Sequence, residues 1–347
     1  MTSSKDLPPW DIPFFPHIFI KNQFCTKPER LPKTTNLTGK VAIITGANTG
    51  LGFEAAKQML EPSLSHLILA VRSNVKGETA AANLRALFPK ATIEVMLVDM
   101  SRYDSILDFA RRVESQVSRL DIVILNAGVM SLKYNTGSST GHEELVQINY
   151  LSTVLLATLM LPILKIKSPA GTPGRLTLIN TSLALTAPLP ATRGHKSLLE
   201  ALDDPKLFGN YTNRQYNSSK VFAHMWAYKI VDYVSADDVI VNLVCPGFVK
   251  GTQLDHDTSS LIKPIAALFA ASTARNVSDG ASTYLDATLV KGKESHGSFI
   301  MSWAISPFNS FLYTPKGRGA VDKLWQETMD ELKFAGVSGI LESMKKR

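Results

Sequence analysis

Cysteine is scarce in this chain of 347 residues. Cys25 and Cys245 are the only two, too few for a disulfide framework and not spaced like the paired ligands of a zinc site. We interpret each as a free, buried thiol of a protein in a reducing compartment, and we expect a cytoplasmic location. His195 and His296 have no partner at metal-ligand spacing, so we interpret both as loop histidines. The sequence predicts no metal site.

Long apolar runs and concentrated charge are also missing. No apolar run reaches the roughly 20 residues that cross a bilayer, and the first residues lack the basic region of a secretory signal. We therefore expect no transmembrane segment. The net charge of +7 is spread along the chain without an arginine-rich arm, which argues against a nucleic-acid partner. A mildly basic surface of this kind favours the approach of anionic cofactors.

The chain is 45% apolar, which is ample for a large core. Residues 1–36 precede the first strand pattern and are rich in proline and aromatic residues. The segment 12–20 contains Pro13 and Pro16, which exclude a regular helix, yet it is too apolar to remain in water. We expect an extended arm packed on the domain formed by residues 37–347. Contact with a membrane surface or with a second subunit is the alternative.

Strand and helix patterns alternate from residue 37 onward. Apolar β-branched runs indicate buried strands, and the stretches between them have helical patterns. The predicted strands are 41–45, 66–71, 92–98, 120–125, 175–180, 239–244 and 298–302. The predicted helices are 54–60, 76–88, 103–118, 143–164, 216–235 and 276–289. Right-handed crossovers between them predict an α/β fold: a doubly wound, Rossmann-type parallel sheet of about seven strands, with helices on both faces, in a single domain.

Three glycines separate the first strand from the helix that follows it. The strand 41–45 ends at Gly46, and Gly50 and Gly52 precede the helical run 54–60. Glycine permits a tight turn and close approach of a ligand to the backbone, and the free N–H groups at the helix start suit a pyrophosphate. An ordinary strand–turn–helix is the alternative. The spacing Gly-x-x-x-Gly-x-Gly differs from the Gly-x-Gly-x-x-Gly of other dinucleotide binders.

Charged residues follow the second and third predicted strands. Arg72 stands near the point where an acidic residue would bind the ribose hydroxyls, and its guanidinium can pair with a 2′-phosphate. This favours NADP(H) over NAD(H), with an ordinary surface charge as the alternative. Asp99 can accept a hydrogen bond from the adenine amino group or cap a helix.

The strongest chemical signal is the sequence Tyr216-Asn-Ser-Ser-Lys220. Residues four apart share one face of a helix, so both side chains can point into one pocket. Reduction of a ketone needs a proton donor, and a nearby ammonium lowers the pKa of a tyrosine towards the operating pH. Because Tyr-x-x-x-Lys also occurs by chance in helices, its weight depends on the features that accompany it.

Three further features accompany the glycine turn and the Tyr–Lys pair. They are Asn126-Ala127-Gly128 after the fourth strand, Ser182 after the fifth, and Pro246-Gly247 after the sixth. Over residues 37–255 these motifs resemble the short-chain dehydrogenase/reductase family. The resemblance implies the Rossmann-type fold and hydride transfer between NADP(H) and a carbonyl/alcohol pair.

The resemblance also implies a role for each matching residue. Tyr216 would be the catalytic acid/base, and Lys220 would lower its pKa and bind the nicotinamide ribose. Ser182 would bind the substrate carbonyl, and Asn149 would hold a water in the proton relay. Asn126 is expected to tie neighbouring strands together. The implied cofactor-binding residues are Gly46, Asn48, Thr49, Gly50, Leu51, Gly52, Arg72, Asp99, Met100, Asn126, Ala127, Gly128, Tyr216, Lys220, Pro246, Gly247 and Val249.

Two departures from the family pattern concern the substrate side. The segment 183–215 is longer than in compact members, so we expect it to loop out and border the substrate pocket. Thr252 stands one residue later than usual, so no contact with the nicotinamide carboxamide is assigned to it. Residues 253–275 correspond to the family's substrate lid. Their apolar run 261–269 favours a bulky, lipophilic substrate, with a packing face as the alternative.

The flanking sequences resemble fungal reductases of secondary-metabolite pathways, which are similar to retinol dehydrogenases. The resemblance implies an NADP(H)-dependent ketoreductase acting on a lipophilic ketone or alcohol, such as a polyketide or terpenoid, and a homo-oligomer built through helices 143–164 and 216–235. A biosynthetic isomerase or cyclase on the same scaffold is the main alternative. A non-catalytic cofactor-sensing protein is the other, although the intact Ser182, Tyr216 and Lys220 argue against both.

Overall fold

An eight-stranded sheet organises the described part of the chain, which in the computed structural model comprises residues 3–131, 133–136, 139–187, 196–207, 214–250 and 273–345. The strands are β1 (Val41–Thr45), β2 (His66–Val71), β3 (Thr92–Leu97), β4 (Ile122–Leu125), β5 (Gly174–Ile179), β6 (Val239–Cys245), β7 (Ser298–Met301) and β8 (Ala304–Ser306). Their order is β3-β2-β1-β4-β5-β6-β7-β8. The first seven are parallel, which confirms the predicted doubly wound sheet.

The eighth strand corrects the expected count of about seven. β8 pairs antiparallel with β7 after a reversal at Ser302 and Trp303, whose φ angles are 51° and 61°. Two successive positive φ angles are the geometry of a tight hairpin, but the residue pair lacks the Asn-Gly signature that marks such a turn. A three-residue strand is also too short to show periodicity, so the sequence pattern missed it.

Ten helices surround the sheet within the described residues. They are α1 (Phe19–Phe24), α2 (Gly50–Leu60), α3 (Asn74–Leu87), α4 (Tyr103–Gln116), α5 (Glu144–Lys167), α6 (Leu198–Asp203), α7 (Arg214–Ile230), α8 (Val277–Leu285), α9 (Pro315–Glu331) and α10 (Val337–Met344). The predicted helices all form, with ends shifted by a few residues. Local capping sets several of these starts: the side chains of Ser73, Asn276 and Thr314 accept hydrogen bonds from the first turns of α3, α8 and α9.

Two apolar layers cover the two faces of the sheet. In β1, Val41 and Ile43 point into the layer that holds α4, α5 and α7, while Ala42 and Ile44 point into the layer that holds α2, α3 and α8. This alternation explains why β1 is buried at every position. The C-terminal helices α9 and α10 extend the first layer and pack on α7 and α5.

Helix α5 has the length and apolar composition of a membrane span, and 89% of its most apolar window is buried inside the fold. Among the described helices, α5 alone meets this criterion. Its residues 153–164 are buried almost throughout, against the sheet and against α4 and α10, while residues 144–152 pack on α7. The packing is therefore that of a core helix.

The N-terminal arm packs on the main domain but is not extended throughout. Ser4 is buried and bonds to Ser298, Phe299 and Ser306 at the β7–β8 edge. The prolines do prevent a regular helix in the segment before Ile18, where Phe15 has non-helical angles. Beyond them α1 forms, because residues 19–24 contain no proline.

Candidate active site

The carboxyl ends of the parallel strands meet at one edge of the sheet, where the sequence motifs are placed. Strand order reverses between β1 and β4, so their outgoing loops diverge and leave a crevice. The glycine turn follows β1, and Asn126 follows β4. Ser182 and Pro246 follow β5 and β6, the next two strands in the sheet.

The glycine turn has the geometry that requires glycine. Gly46 and Gly50 have φ angles of +63° and +57°, in the left-handed region. A Cβ at Gly52 would lie 2.5 Å from both Gly46 O and Asn126 Nδ2, so a side chain there would displace the backbone of the turn. A Cβ at Gly50 would meet nothing within 4 Å, because this residue faces open space.

The N-terminus of α2 is left free by its own sequence. Thr49 precedes the helix in an extended conformation and its side chain forms no cap, unlike the caps of α3, α8 and α9. An open cleft of ≈ 420 Å³ adjoins this end, lined by residues that include Asn48, Thr49, Gly50 and Lys76. Uncapped N–H groups facing a cleft fit an anionic group such as a pyrophosphate.

One basic side chain lines the same cleft, and a second follows β2 nearby in the chain. Arg72 is exposed and has no hydrogen bond or ion pair with any described residue. Lys76, in the first turn of α3, lines the cleft and was missed by the sequence patterns. Asp99 Oδ1 accepts hydrogen bonds from Ser101 N at 3.0 Å and Ser101 Oγ at 2.8 Å, forming a local turn rather than the cap of α4.

Asn126 ties β4 to the loop after β1, as the sequence predicts. Its Nδ2 donates to Thr45 O at 2.9 Å and Gly46 O at 3.2 Å, and Tyr284 OH donates to its Oδ1 at 3.1 Å. Ala127 N also donates to Thr45 Oγ1 at 2.9 Å. The amide thus holds the glycine turn against the loop after β4.

The side chain of Asn149 also holds the loop after β4, through hydrogen bonds to Val129. Val129 N donates to Asn149 Oδ1 at 2.9 Å, and Asn149 Nδ2 donates to Val129 O at 2.8 Å. The residue lies in a π-helical segment of α5, Gln147–Ser152, of a kind that occurs often at functional sites. Its side chain is therefore committed to backbone positioning, which satisfies a buried amide.

Tyr216 and Lys220 are buried side chains on the first turns of α7. Lys220 Nζ lies 6.0 Å from the centroid of the Tyr216 ring and donates to Ile179 O at 3.0 Å. Burial lowers the pKa of Lys220 to about 8. The amine is thus still charged at neutral pH, and it lies near Gly128: a Cβ there would be 3.6 Å from Nζ.

Ser182 is connected to the turn after β6 by a buried thiol. Ser182 N donates to Cys245 Sγ at 3.1 Å, and Gly247 N donates to the same sulfur at 3.3 Å. Burial raises the pKa of the Cys245 thiol, which keeps it neutral. Cys245 is buried as expected, whereas Cys25 is exposed, contrary to the expectation of a buried thiol, because it follows α1 on the surface of the arm.

The remaining predicted residues fall into three groups. Leu51 and Val249 are buried and pack on Gly280 of α8, and the side chain of Met100 belongs to the core. Pro246 and Gly247 form the turn after β6, where Gly247 has a φ of +84°. Thr252, His195 and the apolar run 261–269 lie outside the described residues.

His296 accepts from Val241 N at 3.2 Å through Nδ1 and contacts Val234 O at 2.8 Å through Nε2, so it acts as a structural loop histidine. Within the described ranges no group of His, Cys, Asp or Glu is arranged to hold a metal ion. These hydrogen bonds do not connect His296 to the crevice.

Arg275, Tyr284 and Cys245 also belong to this region, and the sequence patterns did not identify their contacts. Each acts on the backbone or side chain of a predicted site residue: Pro246, Asn126 and Ser182, respectively. Burial lowers the pKa of Arg275 from its usual range. The sequence patterns could not predict these contacts, because the partners are distant in sequence.

Comparisons with known proteins agree with this arrangement. A sequence profile for the family described as short chain dehydrogenase matches residues 40–186. The short chain dehydrogenase/reductase mfmJ of Annulohypoxylon moriforme is 58% identical over 345 residues, covering 99% of each chain. The short chain dehydrogenase virL of Hypocrea virens is 42% identical, covering 94% of this chain and 95% of the relative.

A solved structure with similar architecture is L-sorbose reductase from Gluconobacter frateurii, determined with NADPH and L-sorbose. It superposes with a TM-score of 0.58 at 19% identity, covering 77% of this chain and 97% of that chain. At this identity the similarity concerns the fold.

Proposed function

The chain belongs to the short-chain dehydrogenase/reductase family, and from that premise we propose that it is an NADP(H)-dependent oxidoreductase acting on a lipophilic ketone/alcohol pair. One observation carries the proposal: the amine of the buried Lys220 lies 6.0 Å from the ring of Tyr216 at the crevice. Both sit where the loops after β4 and β5 converge, since Lys220 contacts Ile179 O and lies near Gly128.

The residues present fit a dinucleotide. The uncapped start of α2 would receive the pyrophosphate, and the open side of Gly50 leaves room for close approach to the backbone. Arg72, which has no described partner, would pair with a 2′-phosphate, with Lys76 adding positive charge beside the same cleft. These features support NADP(H) over NAD(H).

When bound, the nicotinamide supplies or accepts a hydride. The chain's own residues would manage the proton: Tyr216 OH donates to the carbonyl oxygen as charge develops there. The Lys220 ammonium, fixed by Ile179 O, favours the phenolate left behind. Ser182 Oγ would orient the carbonyl, with its backbone held by Cys245.

Asn149 supports this centre through Val129, and we propose that it also holds a water of the proton relay. The substrate side is proposed to be formed by segments 183–215 and 253–275. We further propose that the protein catalyses a ketoreductase step of fungal secondary metabolism, which the fungal sources of the relatives support. We propose the cytoplasm as its location.

The test is turnover with matched variants. Purified protein with NADPH and a panel of lipophilic ketones is expected to consume NADPH. Tyr216→Phe should lower kcat at least about a hundredfold, the scale of a lost general acid. Tyr228→Phe, on the same helix but stacked under Lys5, should retain full activity. Equal rates for Tyr216→Phe and the wild type would contradict the mechanism.

Cofactor preference is tested separately. Arg72→Ala should raise the KM for NADPH about tenfold or more while leaving the KM for NADH unchanged, because only the former carries the 2′-phosphate. Arg111→Ala, an exposed arginine in the middle of α4, is the control and should change neither value. An equal loss with both cofactors would show that Arg72 does not read the phosphate.

A further inference from the structure

The N-terminal arm reaches the turn that follows β6. Gln23 Nε2 donates to Phe248 O at 2.6 Å, and Phe248 N donates to Gln23 Oε1 at 3.3 Å. One side-chain amide thus pairs with both backbone groups of a single residue, as a neighbouring strand would, while Phe248 O also accepts a hydrogen bond from Arg275 N at 2.8 Å. Phe248 directly follows Pro246-Gly247, which are expected beside the nicotinamide.

The same device occurs at Asn149, whose amide pairs with both backbone groups of Val129. Val129 lies in the loop after β4 and Phe248 in the loop after β6, so two loops at the same edge of the sheet are held in one manner. In the first case the amide comes from the core helix α5. In the second it comes from the arm, which lies outside the matched region 40–186.

Arg275 holds the turn from a second direction. Its guanidinium is nearly buried, donates to Pro246 O at 3.2 Å and Ser302 Oγ at 2.8 Å, and also donates to Asn22 O. It has no carboxylate partner among the described residues, and it stacks over the Trp303 ring at 4.8 Å. Because a buried cation must be hydrogen-bonded, the guanidinium is held against these carbonyl oxygens and in turn fixes their positions.

Packing adds to these hydrogen bonds. A Cβ at Gly247 would lie 2.7 Å from Arg275 Nη1, so the turn rests directly on the guanidinium. The rings of Phe19 and Phe248 lie with their centroids 6.5 Å apart, which joins α1 to the same turn. The adjacent arm residues Asn22 and Gln23 therefore contact the turn and the arginine that supports it.

We propose that Gln23 is a positioning residue for the nicotinamide-side turn 246–249, and that with Arg275 it makes the N-terminal arm a structural part of the cofactor site. The proposal rests on the proposed function for the identity of the ligand. It does not depend on that function for the mechanical claim that Gln23 orders the turn.

The experiment compares Gln23→Leu with Ser4→Ala in the full chain. Gln23→Leu keeps the side-chain size and removes both hydrogen bonds to Phe248. Ser4→Ala also removes buried hydrogen bonds of the arm, but those of the Ser4 hydroxyl to Phe299 N of β7 and Ser306 O of β8. Hydrogen exchange of the peptide containing residues 246–249, without cofactor, is read alongside the KM for NADPH, kcat and the melting temperature.

Gln23→Leu is expected to accelerate exchange at 246–249 and to raise the KM for NADPH about tenfold, with kcat at saturation within about twofold of the wild type. Ser4→Ala should lower the melting temperature and leave both exchange at the turn and the KM unchanged. A purely structural role for Gln23 would instead lower the melting temperature without moving the KM.

Unchanged exchange at 246–249 in Gln23→Leu would overturn the proposal. Faster exchange with an unchanged KM for NADPH would also overturn it, because the turn would then not serve the cofactor. A wild-type protein that fails to bind NADPH would defeat the proposed function and with it the cofactor role of Gln23, while the exchange data would still decide whether the arm orders the turn.

Discussion

The surroundings of Lys220 oppose its charge. It is buried, its ammonium donates to a backbone carbonyl, and it has no carboxylate partner in the described part of the chain. Burial lowers its pKa to about 8, so a modest rise in pH discharges it. A site that needs this ammonium beside a tyrosine therefore has a defined alkaline limit.

That limit predicts the pH dependence of activity. Reduction by the proposed mechanism needs a charged Lys220, so kcat/KM, which reports the free enzyme, should fall as pH rises above about 8. The measurement is kcat/KM for ketone reduction over a pH series at fixed ionic strength. A profile that stays level well beyond pH 9 would show that the free enzyme keeps the ammonium charged.

The free energy of unfolding should change with pH in the opposite direction to kcat/KM. The unfolded chain holds this proton near the ordinary lysine pKa of 10.5, so the buried ammonium destabilises the fold below pH 8 and the penalty fades as pH approaches 10.5. The unfolding free energy of the wild type minus that of Lys220→Met should therefore rise between pH 8 and 10.5, measured by urea unfolding.

Lys229→Met is the matched control on the same helix. The hydrogen bond to Asp322 raises the pKa of Lys229, so the corresponding difference should stay level over that range. A level difference for Lys220→Met as well would mean that Lys220 is not penalised by burial.

Gly52 gives a steric prediction at the same scale. Gly52→Ala places a methyl group against Gly46 O and Asn126 Nδ2, so the turn must shift and NADPH affinity should fall by tenfold or more. Gly319→Ala in α9 meets nothing within 4 Å and should stabilise the fold by about 0.5–1 kcal/mol. Cofactor titration and thermal melting check both outcomes, and normal NADPH binding by Gly52→Ala would contradict this account of the turn.

At the scale of elements, three segments meet at His142, just before α5. His142 Nδ1 lies 2.7 Å from Asp203 of α6, and Nε2 lies 3.2 Å from Glu331 of α9. Burial by itself would lower the pKa of His142, but its hydrogen bonds with both carboxylates outweigh burial and raise the pKa to about 9. The histidine therefore joins the α6 segment to the C-terminal helices as a cation.

This pair of contacts predicts a pH-dependent stability. A raised pKa stabilises the fold fully below the unfolded value of 6.5 and loses that contribution as pH rises through about 9. Since one pKa unit corresponds to about 1.4 kcal/mol, the contribution is up to about 3 kcal/mol.

His142→Gln should remove this contribution, as measured by urea unfolding at pH 6 to 10. Nearby Tyr103, Tyr134, Glu143 and Asp204 remain in both proteins, so the difference isolates the histidine. A wild-type advantage that persists unchanged to pH 10 would contradict the ionic interpretation.

At the scale of the whole molecule, the C-terminal helices cover the faces that the family resemblance assigns to assembly. Leu324 of α9 is buried in the layer that contains α7, and Tyr150 OH of α5 bonds Thr328 Oγ1 of α9 at 2.7 Å. Leu341 and Met344 of α10 are buried in the same layer, where α10 packs on α5. The outer faces of α5 and α7 are thus partly occupied by the chain itself.

We therefore expect no oligomer through α5 and α7. Light scattering after size exclusion gives the mass relative to the 37.9 kDa of one chain, and any larger species should show no intermolecular crosslinks in α5 or α7. A dimer whose crosslinks map to α5 or α7 would show that α9 and α10 do not block that interface.

Local patterns determined the alternation of strands and helices, the glycine turn and the Tyr216–Lys220 pair, because each depends on residues close together in the chain. Hydrophobic periodicity selects the element, φ preference selects the glycine, and helical spacing places a side chain one turn from another. These signals were sufficient for the fold class and for the order of the motifs along one edge of the sheet.

Only the tertiary structure revealed the strand β8 and three sets of side-chain contacts. These are the partners of His142, the sulfur contacts of Cys245 and the hydrogen bonds of Gln23 to Phe248. Gln23 and Phe248 are separated by nearly the whole parallel sheet in sequence, and no periodicity links them. Such contacts arise when packed elements bring distant polar groups together with no water to satisfy them, so their identity depends on the assembled fold.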